Sequence, residues 1–355
     1  MSFEGMKQEL ADAIKARGIT RLIYFHADHF EPWKKIAGRR QLSQENADDL
    51  AYFADRISQF DYARRLTLFY RNLFPVVLGA RTGAMRADPS DEIGFMPRNP
   101  EAERITRQGM GYLAGNSQHD LQVHVHHESF TFNFGHKHPK FVEYFQKPEA
   151  RTLDGARLGF ALKLHLDYFT QETGKTLDRW FFVHGHWALN GSDPQTCWIT
   201  REIEILMQHG CRGDFTFPAG RSHVNPRHEV PYFCVPVDAP RGYDQAEAQP
   251  EFAYGNRQAA ENKFLIWSSN IDHRASAIDY YVPWVRQKLE DPLAFAKEIV
   301  SRSFSVDGRM YVKTHAHSLY PDYFVGTRKP IFPHEHPGIQ NLLCLLFDAA
   351  AAAGR

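Results

Sequence analysis

Seven short apolar runs alternate along this 355-residue chain with segments of helical periodicity. Each run is rich in β-branched and aromatic residues and is bounded by turn or helix signals, a pattern typical of buried strands. Strand followed by helix, repeated about seven times without an obvious linker, indicates a parallel α/β sheet closed into a barrel or nearly so. The predicted strands are Arg21 to Ala27, Leu66 to Tyr70, Leu121 to His126, Trp180 to His184, Asp214 to Phe217, Phe264 to Ser268 and Met310 to His315.

Between these strands, apolar residues recur at helical spacing over residues 45–60, 154–170 and 198–209 and in the last segment of the chain. The first 18 residues form a charged amphipathic pattern, and Pro100, after Asn99, is placed for the first turn of an additional helix. We expect one domain over residues 1–355. Its two long connections, 71–120 and 219–262, are the expected walls or lids of a cleft.

Composition narrows the classes of function. Lys plus Arg number 42 and Asp plus Glu number 42, so the formal net charge is zero and nothing favours binding to nucleic acid or to an anionic membrane. No apolar run approaches the ~20 residues of a membrane span, and the opening segment lacks the apolar core of a signal peptide. The sequence therefore predicts a cytoplasmic protein. Its four cysteines are widely spaced, which predicts buried free thiols.

The chain contains 19 histidines, and several of them lie at the ends of four predicted strands. Residues i and i+2 of a strand project from one face, so each His-x-His or His-x-Asp pair can direct two side chains at one point. In a parallel α/β fold these strand ends share the rim where active sites lie. We expect a metal site, for zinc, iron, manganese or nickel, or an acid/base site there. The alternative, for any one histidine, is a packed core or surface residue. The four segments are 26–32, 124–128, 184–187 and 315–318.

Two further residues have two readings each. Asp214 begins a predicted strand and is either a buried orienting carboxylate or part of a core strand. Trp187 either lines a sugar-binding surface or packs in the interior.

The chain resembles the polysaccharide deacetylase superfamily, the NodB-homology carbohydrate esterases, and particularly a divergent branch found in surface-polysaccharide gene clusters. The resemblance rests on short motifs that follow the family's order from about residue 20 to residue 320. These motifs are 27–32 (ADHFEP), 124–126 (HVH), 182–189 (FVHGHWAL), 210–218 (GCRGDFTFP) and 313–317 (KTHAH).

The resemblance implies a distorted (β/α)7 barrel, an Asp-His-His metal centre, a carboxylate base and a histidine acid after a late strand. By position, it implies that Asp28 and His124 are metal ligands and that His317 or His315 is the general acid. Where the family has its second metal histidine this chain has Glu128, so we assign that role to His126 on geometric grounds.

The family's base is an Asp immediately before the metal Asp, where this chain has Ala27. Glu31 and His29 are therefore the candidate bases. The expected substrate-binding residues are His184, His186, Trp187, Asp214 and His315.

These expectations lead to a metal-dependent hydrolase, most simply a zinc enzyme, that removes an N-acyl group, expected to be N-acetyl, from a sugar of a surface polysaccharide or its precursor. The metal would activate water, and His317 would protonate the leaving amine. Two alternatives stay open: a catalytically silent sugar-binding barrel, favoured by Ala27, and a glycosidase of related fold, which needs two carboxylates and no metal.

Overall fold

The computed structural model describes residues 1–30, 34–36, 39–41, 67–71, 100–115, 120–125, 148–185, 188–193, 197–216, 231–243, 263–267, 277–280, 282–317 and 333–354. The architecture of this part of the chain is mixed α/β, as predicted. One large sheet has helices packed against it.

Seven parallel strands form the body of a nine-stranded sheet. They are neighbours in chain order, except that the last strand pairs with the first. From one end to the other they are β11 (Arg309–Ala316), β1 (Arg21–Phe30), β4 (Thr67–Arg71), β5 (Asp120–Val125), β6 (Trp180–His184), β7 (Cys211–Asp214) and β9 (Phe264–Ile266).

A short antiparallel strand borders each end of this sheet. β10 (Phe304–Val306) pairs with β11, and β8 (Tyr232–Cys234) pairs with β9. A separate two-stranded sheet joins β2 (Lys34–Ile36) and β3 (Arg39–Gln41). These four strands have three residues each, and none was predicted.

All seven parallel strands overlap predicted ones, although β1 extends to Phe30 rather than ending at Ala27, and one other prediction is displaced by three residues. The strand expected from Asp214 to Phe217 ends at Asp214 and begins at Cys211. The alternation of Phe215 and Phe217 suggested a strand, whereas the paired residues include Gly213, which lies opposite Leu265. Cβ at position 213 would meet the Leu265 carbonyl oxygen at 2.5 Å, so only glycine fits this close approach.

The helices cover the sheet on one face. Residues 154–170 lie within a longer helix, the helix expected over 198–209 is limited to 202–208, and the one expected over 45–60 lies outside the described residues. The described helices are α1 (Phe3–Ala16), α2 (Pro100–Gly115), α3 (Pro148–Thr173), α4 (Glu202–Gln208), α5 (Pro283–Leu289), α6 (Pro292–Arg302) and α7 (Pro337–Ala353).

Helix boundaries follow local chemistry. Ser2 caps α1 by accepting a hydrogen bond from the Gly5 N–H, and Asp291 caps α6 in the same way through Ala294. Proline is in the first turn of α5, α6 and α7, where its missing N–H costs no helical hydrogen bond.

Two apolar clusters lie between the sheet and its helices. One packs β5, β6 and β9 against α3 and α4, and includes Phe182 and Leu158. The other packs β11 against α1, α6 and α7, and includes Val312 and Leu346. We call this side of the sheet, which carries Tyr24 on β1 and Phe182 on β6, the helix-covered face.

The opposite side, which we call the inner face, carries Phe25, Ala27 and His29 on β1, because successive side chains of a strand alternate. Ala27 packs there with Val183 of β6, three strands away. Phe25 makes edge-to-face contacts with Phe215 and Trp267, which follow β7 and β9. The sheet is therefore strongly curved about its inner face.

Lys313 of β11 spans this curved inner face. Its Nζ donates hydrogen bonds to the Phe215 carbonyl and, at 2.8 Å, to the Trp267 carbonyl. A second link on the same side is the parallel bridge between Ala277 and His315. The strand beside β1 thus contacts the segments that follow β7 and β9.

The two long connections are described in part. The first contains α2, which begins at Pro100 as predicted, and the second contains β8. None of the helices within the described ranges has the length and apolar character needed to cross a membrane.

Candidate active site

Three imidazoles meet where three parallel strands end. The ring of His29, from β1, lies with its centroid 5.0 Å from that of His124, on β5. On its other side it lies 4.8 Å from the ring of His317, which directly follows β11. We call these residues the His29 cluster. They occupy the inner face at the C-terminal edge of the parallel strands, the edge predicted to hold the site.

Backbone contacts orient His124 within this cluster. Its Nδ1 lies 2.9 Å from the carbonyl oxygen of Val183 on the neighbouring strand β6. A carbonyl can only accept, so Nδ1 carries the hydrogen and Nε2 carries the lone pair of the neutral ring. His124 is 3% exposed, and this bond fixes which nitrogen can act as a base or a metal ligand.

A carboxylate orients His317. Asp279 accepts a 2.7 Å hydrogen bond from the His317 backbone N–H, and its other oxygen lies 3.5 Å from His317 Nδ1. The bridge between Ala277 and His315 explains this position, since continued parallel register brings Asp279 level with His317. Asp279 is 5% exposed. A buried carboxylate beside one imidazole nitrogen is the arrangement that orients catalytic and metal-binding histidines.

Asp28, a predicted metal ligand, belongs to the other face of β1. Its Oδ2 lies 3.1 Å from His26 Nε2, and His26 Nδ1 lies 2.9 Å from the Thr314 hydroxyl. The His26 ring also packs edge-on against His334, just before α7. Asp28 and His124, expected to share one ion, are therefore directed to opposite sides of the sheet.

His315, the alternative acid, lies opposite Ala27 in the pairing of β1 with β11 and is 1% exposed. It is thus on the inner face, two residues before His317 in the sequence. Lys313 lies two residues before His315, on the same face. Burial lowers the pKa of Lys313 to about 7, although the charge of Asp214 opposes this shift. The inner face therefore holds an amine that is partly neutral at physiological pH.

Asp214 is a fully buried carboxylate at the end of the core strand β7. It accepts hydrogen bonds from the Thr216 N–H, at 2.6 Å, and from the Tyr243 hydroxyl, at 2.5 Å. Burial raises its pKa to about 6 in spite of these bonds. Asp214 lies opposite Phe182, on the helix-covered face, so a substrate at the His29 cluster would not contact it.

His184 also lies away from the His29 cluster. It is on the helix-covered face with Phe182, and its Nε2 is 3.4 Å from Glu202 Oε1. With Cys197, these side chains place one ligand atom each within 4.8 Å of one another, the only such group of three among the residues that the structure describes. Sequence reasoning assigned His184 to substrate and overlooked both Cys197 and Glu202.

Four predicted site residues lie outside the described residues: Glu31, His126, His186 and Trp187. The sequence interpretation missed Asp279, because the segment around it has no strand pattern of its own. Its only signal is an acidic residue that follows the predicted strand at 264–268 by about ten positions.

Comparison of the chain with protein-family models, with curated proteins and with solved structures finds no match.

Proposed function

We propose that this chain is a metal-dependent hydrolase that removes an N-acyl group, expected to be N-acetyl, from a sugar, and that its reaction takes place at the His29 cluster. The observation that carries the proposal is the meeting of His29, His124 and His317 at the C-terminal ends of three parallel strands. Parallel α/β enzymes bind substrates at this edge.

The fold that we propose for it is a distorted (β/α)7 barrel. Seven parallel strands in chain order, with the last beside the first, have the cyclic order of such a barrel. The contacts of Lys313 with the Phe215 and Trp267 carbonyls support closure, because they join β11 to segments at the other end of the strand order. In this fold the inner face becomes the interior, and the His29 cluster lies at its mouth.

The cluster suits a transition metal. With metal–nitrogen bonds of about 2.0–2.1 Å and tetrahedral angles, two imidazole centroids on one ion are separated by about 5 Å. The centroids of His29 and His124 are 5.0 Å apart. The fixed Nδ1–H of His124 leaves Nε2 for coordination. We therefore assign metal binding to His29 and His124. Imidazole ligands favour zinc, iron or nickel over magnesium. A bound ion would supply Lewis-acid activation of the acyl carbonyl and of water.

His317 is the proposed general acid. Asp279 lies beside its Nδ1, so the carboxylate stabilises the imidazolium and directs Nε2 away from itself. A protonated Nε2 then donates to the nitrogen of the leaving amine as the C–N bond breaks. Sequence reasoning gave His317 this role, and Asp279 is its proposed positioning residue.

The test is release of acetate and free amine from a panel of N-acetylated sugars by the purified chain, before and after dialysis against a chelator. Turnover that is lost with the metal and restored by Zn²⁺ is the expected result. Full release of acetate by the metal-free enzyme would contradict the proposal, whereas metal-independent cleavage of the glycosidic bond without acetate release would favour a glycosidase.

A sugar-binding protein without turnover is the second candidate, and one observation favours it. Ala27, at the position of the family's base, is 1% exposed and packs against Val183, so no carboxylate occupies that point of the inner face. Calorimetric titration with the same sugars separates the candidates, since binding without acetate release supports the silent barrel.

A further inference from the structure

His184, Cys197 and Glu202 come from three different elements and converge beneath the helices. His184 ends β6, Cys197 lies in the loop that follows, and Glu202 is the first residue of α4. Each has a relative exposure of 0%. Because His184 shares the helix-covered face with Phe182, the group is separated from the His29 cluster by the sheet itself.

The spacing of the three side chains agrees with a tetrahedral metal. His184 Nε2 is 3.4 Å from Glu202 Oε1, and the Cys197 thiol donates a hydrogen bond to the other carboxylate oxygen, Oε2, at 3.3 Å. Zinc bonds of about 2.0–2.2 Å to nitrogen and oxygen give a tetrahedral N-to-O edge of about 3.4 Å, which the His184–Glu202 distance matches. All three ligand atoms lie within 4.8 Å of one another.

Surrounding hydrogen bonds orient two of the three side chains. The backbone N–H of Gly191 donates to Cys197 Sγ at 3.4 Å, although burial and the charge of Glu202 raise the pKa of this thiol. The backbone N–H of Asn190 donates to Glu202 Oε2 at 2.7 Å. Asn190 is itself fixed, since its side chain accepts from the Ile203 N–H and donates to the Val237 and Ala239 carbonyls. Supporting contacts of this kind are the rule around protein metal sites.

We propose that His184, Cys197 and Glu202 bind a second transition metal ion, of the zinc class, which fastens the loop containing Cys197 to β6 and α4. Binding replaces the Cys197 thiol proton, which is released to solvent, by a metal–sulfur bond. A thiolate, an imidazole and a carboxylate form a donor set that favours zinc or cobalt over magnesium or calcium. This site is independent of the proposed hydrolase and needs no substrate.

Cobalt substitution of the full chain tests the proposal. A Co²⁺–thiolate bond gives a near-ultraviolet charge-transfer band that imidazole and carboxylate ligands do not give. We expect the wild type to show this band and Cys197→Ala to lose it. Cys211→Ala, which removes another fully buried thiol, is the matched control and keeps it.

Two further measurements keep the outcome decisive. His29→Ala should keep the cobalt–thiolate band while it loses the metal of the His29 cluster, so failure at one site is distinguished from failure at the other. Glu202→Gln retains an oxygen for the Asn190 N–H and serves if Cys197→Ala does not fold; it should weaken Zn²⁺ binding at least tenfold. Folded wild-type protein without the band, or a band that persists in Cys197→Ala, would overturn the proposal and leave a metal-free hydrogen-bonded network.

Discussion

Asp279 contacts His317 twice, accepting a hydrogen bond from its backbone N–H and approaching its Nδ1 to 3.5 Å. The first contact fixes the position of the His317 backbone, and the second constrains the orientation of its imidazole ring. Together they hold the His317 backbone in place and set a carboxylate beside its imidazole ring.

Replacing His317 by alanine tests this role. We expect kcat to fall by ~10²- to 10⁴-fold, the usual worth of positioned proton transfer, with metal content and KM nearly unchanged. The wild-type rate should decline at high pH as the imidazolium loses its proton, and the variant should lack that decline. Loss of metal from His317→Ala would instead identify the residue as a ligand.

Asp279→Asn should act through the histidine. An amide keeps the hydrogen bond from the His317 N–H but carries no charge to stabilise an imidazolium, so the high-pH limb of the kcat profile should move to lower pH. Glu172→Gln is the control. It removes a carboxylate of α3 that pairs with Arg107 of α2, away from the His29 cluster. A purely structural Asp279 would lower the melting temperature and leave the profile in place.

Metal analysis distinguishes the ligands suggested by the geometry from those suggested by the sequence. His29→Ala and His124→Ala should each lose the ion of the His29 cluster, whereas Asp28→Asn should retain it, because Asp28 lies with His26 on the opposite face. Elemental analysis of the three purified variants provides the comparison. Equal metal content in His124→Ala and wild type would exclude His124 as a ligand.

The buried amine of Lys313 should make stability depend on pH. Burial lowers its native pKa to about 7 from 10.5, so between these values the unfolded chain binds more protons than the native one. Stability should therefore rise with pH across this window, by at most about 1.4 kcal/mol per pH unit. Urea unfolding of wild type and Lys313→Met at pH 7 and pH 9 measures this contribution. The same slope in both proteins would contradict it.

Gly213→Ala should destabilise the sheet. An added Cβ would lie 2.5 Å from the Leu265 carbonyl oxygen and 2.8 Å from the Leu265 side chain, so β7 and β9 must separate at a cost of about 1–3 kcal/mol. Gly115→Ala is the control, because a Cβ there has nothing within 4 Å. Chemical denaturation of both variants should show a loss only for Gly213→Ala.

The positions of the strands could be predicted from the sequence far better than the side of the sheet to which each side chain points. A strand buried on both sides is apolar throughout, so its sequence shows no alternation that marks the inner face. For this reason Asp28 and His184 were grouped with His124, although β1 directs Asp28 and β6 directs His184 to the helix-covered face. His317 was predicted from its place after a strand and from the family resemblance, whereas the position of Asp279 depends on a pairing between segments distant in sequence.

The pairing of β1 with β11 has a consequence for folding. Arg21 lies opposite Arg309, so one side of the first parallel strand is completed by residues that are synthesised much later than β1 itself. Until β11 emerges from the ribosome, that side of β1 has unpaired N–H and C=O groups and can pair with another nascent chain. Pairings this distant in sequence also slow folding, because closing a long loop precedes any gain from the contact. Aggregation during synthesis should therefore be governed by the edge of β1, the same strand that carries His29 to the site.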